Sequence, residues 1–168
     1  MILLTQIRHT IYEALDSAVP FTVSDYKPGE IWEAEAKISE SYTLQVTAYT
    51  DQYVGMDTRN VWQVEFKPIG QSVDKLGIDH GKKYGIVGTG GDAATIMATV
   101  IGMMDEFIVI AAPPQIRFTA SEPSRLHDRL WAKFAPRLKS LGYTCLRSGG
   151  SKVTYWAGTE TLGEDGDY

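Results

Sequence analysis

A glycine-rich turn between an apolar strand and a long apolar helix is the feature that most constrains this sequence. Residues 82–87 (KKYGIV) have the composition of a strand, and GTGGDA follows at 88–93. The residues from there to Ile108 are apolar on nearly every side, which predicts a buried helix. Such a strand–turn–helix directs free backbone N–H groups toward one spot, where an anion can bind. The residues expected at that spot are Gly88, Thr89, Gly90, Gly91 and Asp92.

More than one interpretation of this turn remains open. Glycines between a strand and a buried helix allow positive φ and close packing without any ligand. The segment Gly88–Ala93 also fits G-x-G-x-x-A, the dinucleotide fingerprint. However, a Rossmann sheet requires repeated βαβ units, whereas three predicted antiparallel strands precede this turn. No Lys-Ser or Lys-Thr follows the glycines, so the turn is not a Walker-type phosphate loop.

Three segments before the turn alternate apolar and polar residues with the period of a strand. They are residues 31–38, 41–50 and 60–67. One buried face on each strand predicts an antiparallel meander. Helical spacing of apolar residues over 3–17 predicts an amphipathic helix ahead of it. The connections at 51–59 and 68–81 are expected to be loops.

After the turn, the sequence predicts a strand, a basic amphipathic helix and a hairpin. Pro113-Pro114 should end the long helix, and QIRFTA at 115–120 has strand composition. Residues 124–143 place a leucine or phenylalanine at every fourth position, which predicts a helix with one buried stripe. Pro136 lies inside that pattern and should kink or divide the helix. The segments 143–147 and 152–157 flank SGGS as two strands of a hairpin.

A row of cations runs beside the buried stripe of this helix. These residues, here called the basic ridge, are Arg125, Arg129, Lys133 and Arg137. Residues 112–158 carry a net charge of +6, although the whole chain carries −5, and TETLGEDGDY at 159–168 has four acids and no base. The basic ridge could receive an acidic protein surface or this acidic tail, could contact nucleic-acid phosphates, or could simply be solvated. Because the chain is acidic overall, we expect a protein partner or self-association and no nucleic acid.

Size and composition predict one domain in a reducing compartment. We expect residues 1–158 to form a single domain and residues 159–168 to form an acidic tail. One cysteine, Cys145, excludes an intrachain disulfide, is expected to be a buried thiol, and favours a cytoplasmic location. Asp105 and Glu106 interrupt the longest apolar stretch, so no membrane span is expected. The three histidines are isolated from one another, which predicts no metal site.

In this order of elements the sequence resembles the GNAT superfamily of N-acetyltransferases over residues 30–157. The resemblance is carried by the meander, by VGTGGDAATIMATVIGMM, and by RLWAKFAPRLKSLGY before the final hairpin. It implies an α+β fold with a GNAT-like mixed sheet, an antiparallel N-terminal meander and two or three flanking helices. It also implies that the glycine turn binds the pyrophosphate of coenzyme A through backbone amides. The glycine turn and the helix after it also resemble small proteins of tailed bacteriophages, which implies a location in the host cytoplasm or the virion.

The chain departs from the GNAT pattern where that family carries its chemistry. No Arg or Gln stands ahead of Gly88, and Asp92 would repel a pyrophosphate. Leu130-Trp131 stands where the family has a Leu-Tyr pair, whose tyrosine often protonates the departing thiolate. An indole N–H cannot serve as that proton donor. The candidate replacements are Tyr143 and Tyr84, and the candidate general bases are Glu65 and His80.

Two functional hypotheses follow. In the first, the chain is a small phage-type protein that keeps an acyltransferase-like scaffold as a non-catalytic binding or virion-associated module, with no cofactor. In the second, it is an N-acyltransferase that uses coenzyme A or acetyl-CoA, with diverged catalytic residues. The missing Leu-Tyr pair favours the first hypothesis, and the free amides expected at 88–93 favour the second.

Overall fold

The computed structural model describes residues 18–40, 42–50, 61–69, 91–121, 125–150 and 152–159. Within this part of the chain there are seven strands and two helices. In chain order they are β1 (Thr22–Lys27), β2 (Ile31–Ser39), β3 (Tyr42–Thr50), β4 (Val61–Ile69), α1 (Gly91–Ala111), β5 (Gln115–Ser121), α2 (Arg125–Ser140), β6 (Thr144–Ser148) and β7 (Lys152–Gly158). The predicted helix at 3–17, the predicted strand at 82–87 and the acidic residues after 159 lie outside the described residues.

All seven strands belong to one mixed sheet. Their order across the sheet is β1-β2-β3-β4-β5-β7-β6. Every neighbouring pair is antiparallel except β4 and β5, which are parallel. A parallel pair needs a crossover connection, and α1 lies between these two strands in the chain. The α+β class and the antiparallel N-terminal meander are confirmed.

Both helices pack on the same face of the sheet. Alternate residues of β2 and β4, such as Trp32 and Trp62, turn toward them and are buried. The Phe107 ring of α1 lies between those two indoles, with centroid distances of 5.5 Å and 5.2 Å. Arg137 of α2 forms an ion pair with Asp105 of α1, so the two helices also contact each other. The core therefore lies in a single layer between the sheet and the helix pair.

The long helix α1 packs part of its apolar surface on the sheet. By length and composition alone, Ala94–Ala111 could cross a membrane. In the structure, Ile96, Val100, Met103 and Phe107 belong instead to the cluster of side chains that packs on the sheet. A helix that packs in a protein core can have the same apolar composition as a membrane span, and 44% of the Ala94–Ala111 window is buried here.

The strand β1 is an element that the alternation pattern did not predict. Its residues are almost all exposed, so they carry no buried apolar face that would reveal a strand. The backbone ladder to β2 holds it in place, closed by a turn in which Glu30 N–H donates to the Lys27 carbonyl at 3.0 Å. Pro28-Gly29, with Gly29 at φ 75°, supplies the residues that such a turn favours. The Pro28-Gly29 dipeptide was the sequence feature from which this turn could have been predicted.

The helix α2 is not divided at Pro136. Arg125–Ser140 form one helix with the proline inside it. Phe134 and Leu138 are buried on either side of Pro136, so packing holds both halves of the helix in line. The proline itself is exposed, and so is Ala132, whose carbonyl would otherwise accept from residue 136. That carbonyl can bond to water, which removes much of the cost of the missing N–H.

Candidate functional site

The parallel strands β4 and β5 run side by side only at their beginnings. Three residue pairs join them, from Val61 opposite Gln115 to Gln63 opposite Arg117. β4 then continues to Ile69, and no further pair joins it to β5. A strand that leaves its neighbour exposes backbone N–H and C=O groups that need other partners. We take this divergence as the candidate site.

Aromatic rings bridge the divergence on the helix side of the sheet. Phe66 of β4 and Phe118 of β5 meet edge to face, with ring centroids 5.6 Å apart. The His127 ring, in the first turn of α2, lies 6.3 Å from Phe66 and 6.4 Å from Phe118. Side chains therefore replace the backbone ladder as the link between the two strands at this point.

The first turn of α2 is anchored to the sheet through Asp128. Its carboxylate accepts hydrogen bonds from the Tyr155 hydroxyl and from Arg147 Nε, both at 2.7 Å. The Arg147 guanidinium also lies over the Tyr155 ring, 5.8 Å from its centroid. Burial lowers the pKa of the neighbouring His127, and the Asp128 charge opposes that shift. Sequence reasoning missed this anchor, although an acidic residue in the first turn of a helix was a signal for it.

The expected anion site at the glycine turn is only partly within the described residues. Gly88, Thr89 and Gly90 lie outside them. Gly91 is the first residue of α1 and Asp92 the second, so the helix begins inside the segment 88–93 that the sequence predicted as a turn. The first four N–H groups of any helix have no intrahelical partner. The candidate amide donors are thus the backbone at the start of α1.

Glu65, the candidate general base, lies on the face of the sheet that turns away from both helices. We call this the polar face, and it includes Tyr49, Gln63, Glu65, Arg117 and Trp156. Glu65 is exposed, and its carboxylate accepts a hydrogen bond from the Tyr49 hydroxyl at 2.7 Å. Arg117 Nε donates to Gln63 Oε1 at 2.9 Å beside it. Glu65 is therefore held by a neighbouring strand at the surface.

Tyr143, the candidate proton donor, lies on the opposite side of the sheet from Glu65. It is 8% exposed and belongs to the core cluster between the sheet and the helices. Its hydroxyl donates to the Pro113 carbonyl at 2.6 Å, and burial raises its pKa. A general acid and a general base must both reach one substrate. The structure does not bring Glu65 and Tyr143 together. The other two candidates, Tyr84 and His80, lie outside the described residues.

Replacing Tyr143 with phenylalanine should lower the free energy of unfolding by about 1–3 kcal/mol, because the buried Pro113 carbonyl loses its donor. Urea denaturation followed by circular dichroism measures this difference. Tyr26→Phe is the matched control, since the Tyr26 hydroxyl is exposed and makes only a 3.4 Å contact with the Ile110 carbonyl. Equal effects of the two changes would contradict a structural role for the Tyr143 hydroxyl.

The basic ridge is shorter than the sequence predicted. Arg129 and Lys133 are exposed on α2, as expected. Arg137 is not a solvent-facing member, because its side chain is 23% exposed and forms an ion pair with Asp105. Arg125 begins the helix, but its side chain lies outside the described part of the structure. The four-residue spacing placed Arg137 on the ridge, but α1 approaches that side of α2.

Among the described residues, neither Cys145 nor the acidic side chains add a reactive nucleophile or a metal site. The Cys145 thiol is half-buried, lies 3.7 Å from the Ala135 carbonyl oxygen, and has a pKa raised by burial. A thiol with a raised pKa is a poor nucleophile at neutral pH. Among the described residues, no group of three or more His, Cys, Asp or Glu side chains could hold a metal ion.

Comparisons of this chain with protein-family models, with curated proteins and with solved structures found no match.

Proposed function

We propose that this chain has a GNAT-like, acyltransferase-like scaffold and acts as a non-catalytic binding module, of the kind that a bacteriophage carries in its virion or expresses in the host cytoplasm. The observation that carries the proposal is the separation of Glu65 from Tyr143 by the thickness of the sheet. Acyl transfer through these two side chains would need both on the same side, at one reacting centre.

The strand order supports the acyltransferase-like scaffold. A single parallel pair, β4 and β5, stands between an antiparallel meander and a C-terminal hairpin that inserts β7 next to β5. The parallel pair separates after three residue pairs, and α1 begins in the connection between its strands. Of these features, the mixed sheet and the antiparallel N-terminal meander are the ones that the resemblance in the sequence implies.

Aromatic rings occupy the space between the diverging strands β4 and β5, which supports a binding module without acyltransferase chemistry. A thioester that entered between β4 and β5 from the helix side would have to displace the rings of Phe66, Phe118 and His127. Those rings belong to a larger aromatic group, since Phe118 also stacks on Tyr155 with centroids 4.7 Å apart. Disrupting packed aromatic contacts of this kind costs about 0.5–1.5 kcal/mol per pair beyond the loss of buried area.

The polar face offers a surface for a protein partner. Tyr49, Gln63, Arg117 and Trp156 form one row across four adjacent strands, each opposite the next in the strand register. Tryptophan, tyrosine and arginine are the residues that most often carry binding energy in protein interfaces. Arg117 is exposed, and its hydrogen bond to Gln63 holds its side chain in place for a partner.

The second candidate function is CoA-dependent N-acyl transfer. The divergence of β4 and β5 and the start of α1 in the connection between them favour it, because strand amides beyond the last β4–β5 pair and helix amides could bind the pantetheine and pyrophosphate of coenzyme A. In that case a residue other than Tyr143 would have to protonate the thiolate, since the Tyr143 hydroxyl already donates to Pro113.

Titration calorimetry with acetyl-CoA separates the two functions. We expect no binding up to millimolar ligand. Micromolar binding that is lost on Gly90→Glu would contradict the proposal and establish the acyl-CoA function, because a carboxylate at the glycine turn repels the pyrophosphate. The matched control is Gly149→Glu in the β6–β7 turn, where an added side chain meets no atom within 4 Å. It adds the same charge away from the candidate site.

A further inference from the structure

The two outer strands of the sheet differ in how they are protected. Among the strands that the structure describes, β1 and β6 are the end strands, and an end strand presents N–H and C=O groups that another chain can pair with. β1 carries a register irregularity between Val23 and Asp25, and both Asp25 and Lys27 are exposed. Bulges and charges of this kind discourage edge-to-edge pairing.

The strand β6 lacks those protections. Its register with β7 is regular over all five residues, Thr144–Ser148, and it contains no proline. Leu146 is 44% exposed at its centre. Its one charged side chain, Arg147, is drawn back onto Asp128 and the Tyr155 ring. The Arg147 charge is therefore directed toward Asp128 and does not discourage another strand from pairing with β6.

We propose that β6 is a self-association edge, where two copies of this chain pair antiparallel about a two-fold axis at Leu146. The pairing would join two sheets into one continuous sheet. It does not depend on the proposed binding function, because it uses neither the polar-face row nor the divergence of β4 and β5.

The register follows from the pleat of the strand. Residues opposite each other in an antiparallel pair lie on the same face of the sheet, so a residue of β6 can pair only with one an even number of positions away. Of the registers that remain, centring on Leu146 pairs all five residues of β6. Centring on Arg147 would place the two guanidinium groups opposite each other, which destabilises a pair.

The Leu146 register also makes chemically compatible neighbours. It places Leu146 against its own copy, and Thr144 against Ser148, so an apolar pair and a hydroxyl pair form on one face. On the other face Arg147 lies opposite Cys145. The Asp128 carboxylate that accepts from Arg147 balances the guanidinium charge on this face.

Disulfide trapping tests the register directly. Opposite residues in an antiparallel pair have Cα atoms about 4.5–5.5 Å apart, within the range that a disulfide spans. In a chain whose native thiol is removed by Cys145→Ala, Leu146→Cys should give mostly disulfide-linked dimer under mild oxidation at tens of micromolar. The control is Ser148→Cys in the same background, which lies opposite Thr144 and should remain monomeric on a non-reducing gel.

Sedimentation velocity provides a second readout without oxidation. The unmodified chain should sediment as a dimer, and Leu146→Asp should shift it to the monomer, because two carboxylates would meet at the axis. Leu146 is exposed, so this change should leave folding intact, as circular dichroism would check. A monomeric unmodified chain, or equal cross-linking at 146 and 148, would overturn the proposal.

Discussion

Replacing Phe107 with alanine is expected to lower the free energy of unfolding by about 3–5 kcal/mol, the usual cost of removing a buried aromatic ring. Phe107 is fully buried, and its ring contacts both Trp32 of β2 and Trp62 of β4. The change leaves a cavity where α1 joins two strands of the sheet. Thermal or urea denaturation, followed by tryptophan fluorescence, measures the loss.

Val109→Ala on the same helix is the matched control for this change. Val109 is 80% exposed, so its truncation should change stability by no more than about 0.5 kcal/mol. If Phe107→Ala lowers the free energy of unfolding no more than Val109→Ala does, then α1 does not pack on the sheet through this ring. The contacts of Phe107 with Trp32 and Trp62 would then be incorrect.

The second large effect concerns the buried carboxyl of Asp105. Burial raises the pKa of Asp105 to about 7 from the usual 3.8, and the nearby Arg137 charge only partly offsets that shift. Burial likewise lowers the pKa of Arg137. The side chain of Asp105 is only 13% exposed, so ionising it in the folded state has a real desolvation cost.

The direction of the pH effect follows from proton binding. Between pH 4 and 7 the unfolded chain releases the Asp105 proton while the folded chain keeps it, so stability from this group falls as pH rises. The full shift corresponds to about 4 kcal/mol, at 1.36 kcal/mol for each pH unit. The Asp105→Asn variant cannot ionise at this position. We therefore expect its free energy of unfolding, relative to that of the unmodified chain, to rise by up to this amount between pH 4 and pH 8.

Urea titrations of both proteins across this pH range provide the measurement. Glu106→Gln is the control, because the neighbouring Glu106 is exposed on the same helix. Its difference from the unmodified chain should stay nearly constant with pH. If the unmodified chain instead gains stability over Asp105→Asn as pH rises, the attraction of Arg137 outweighs burial and the pair is a stabilising salt bridge.

Much of the secondary structure was predictable because burial imposes a period on the chain. The alternation in 31–38, 41–50 and 60–67 predicted β2, β3 and β4 to within two residues at each end. The end of α1 before Pro113-Pro114 was also predictable from proline chemistry, whereas its start at Gly91 lies inside the predicted glycine turn. β1 escaped prediction because its side chains are exposed, and only its backbone ladder to β2 defines it.

The candidate site was less predictable, because it depends on residues that are distant in sequence. The resemblance made Glu65 and Tyr143 candidates for one reaction, yet the pleat of β4 turns Glu65 to the polar face while Tyr143 packs into the core. Spacing also placed Arg137 on the basic ridge, where only the approach of Asp105 on α1 decides otherwise. The alternation of Trp62, Val64 and Phe66 already predicted that Glu65 turns away from the buried face, but the surroundings of Tyr143 and Arg137 leave no local pattern in the sequence.

The sequence by itself determined most of the described strands and helices, β1 excepted, and most of their buried faces, because periodic burial is a local property of the chain. Tertiary structure alone decided that β4 and β5 pair in parallel and then separate, that Phe66, Phe118 and His127 bridge the gap, and that β6 is the last of the described strands in the sheet. Those features arise from contacts between segments dozens of residues apart, whose partners no local periodicity specifies.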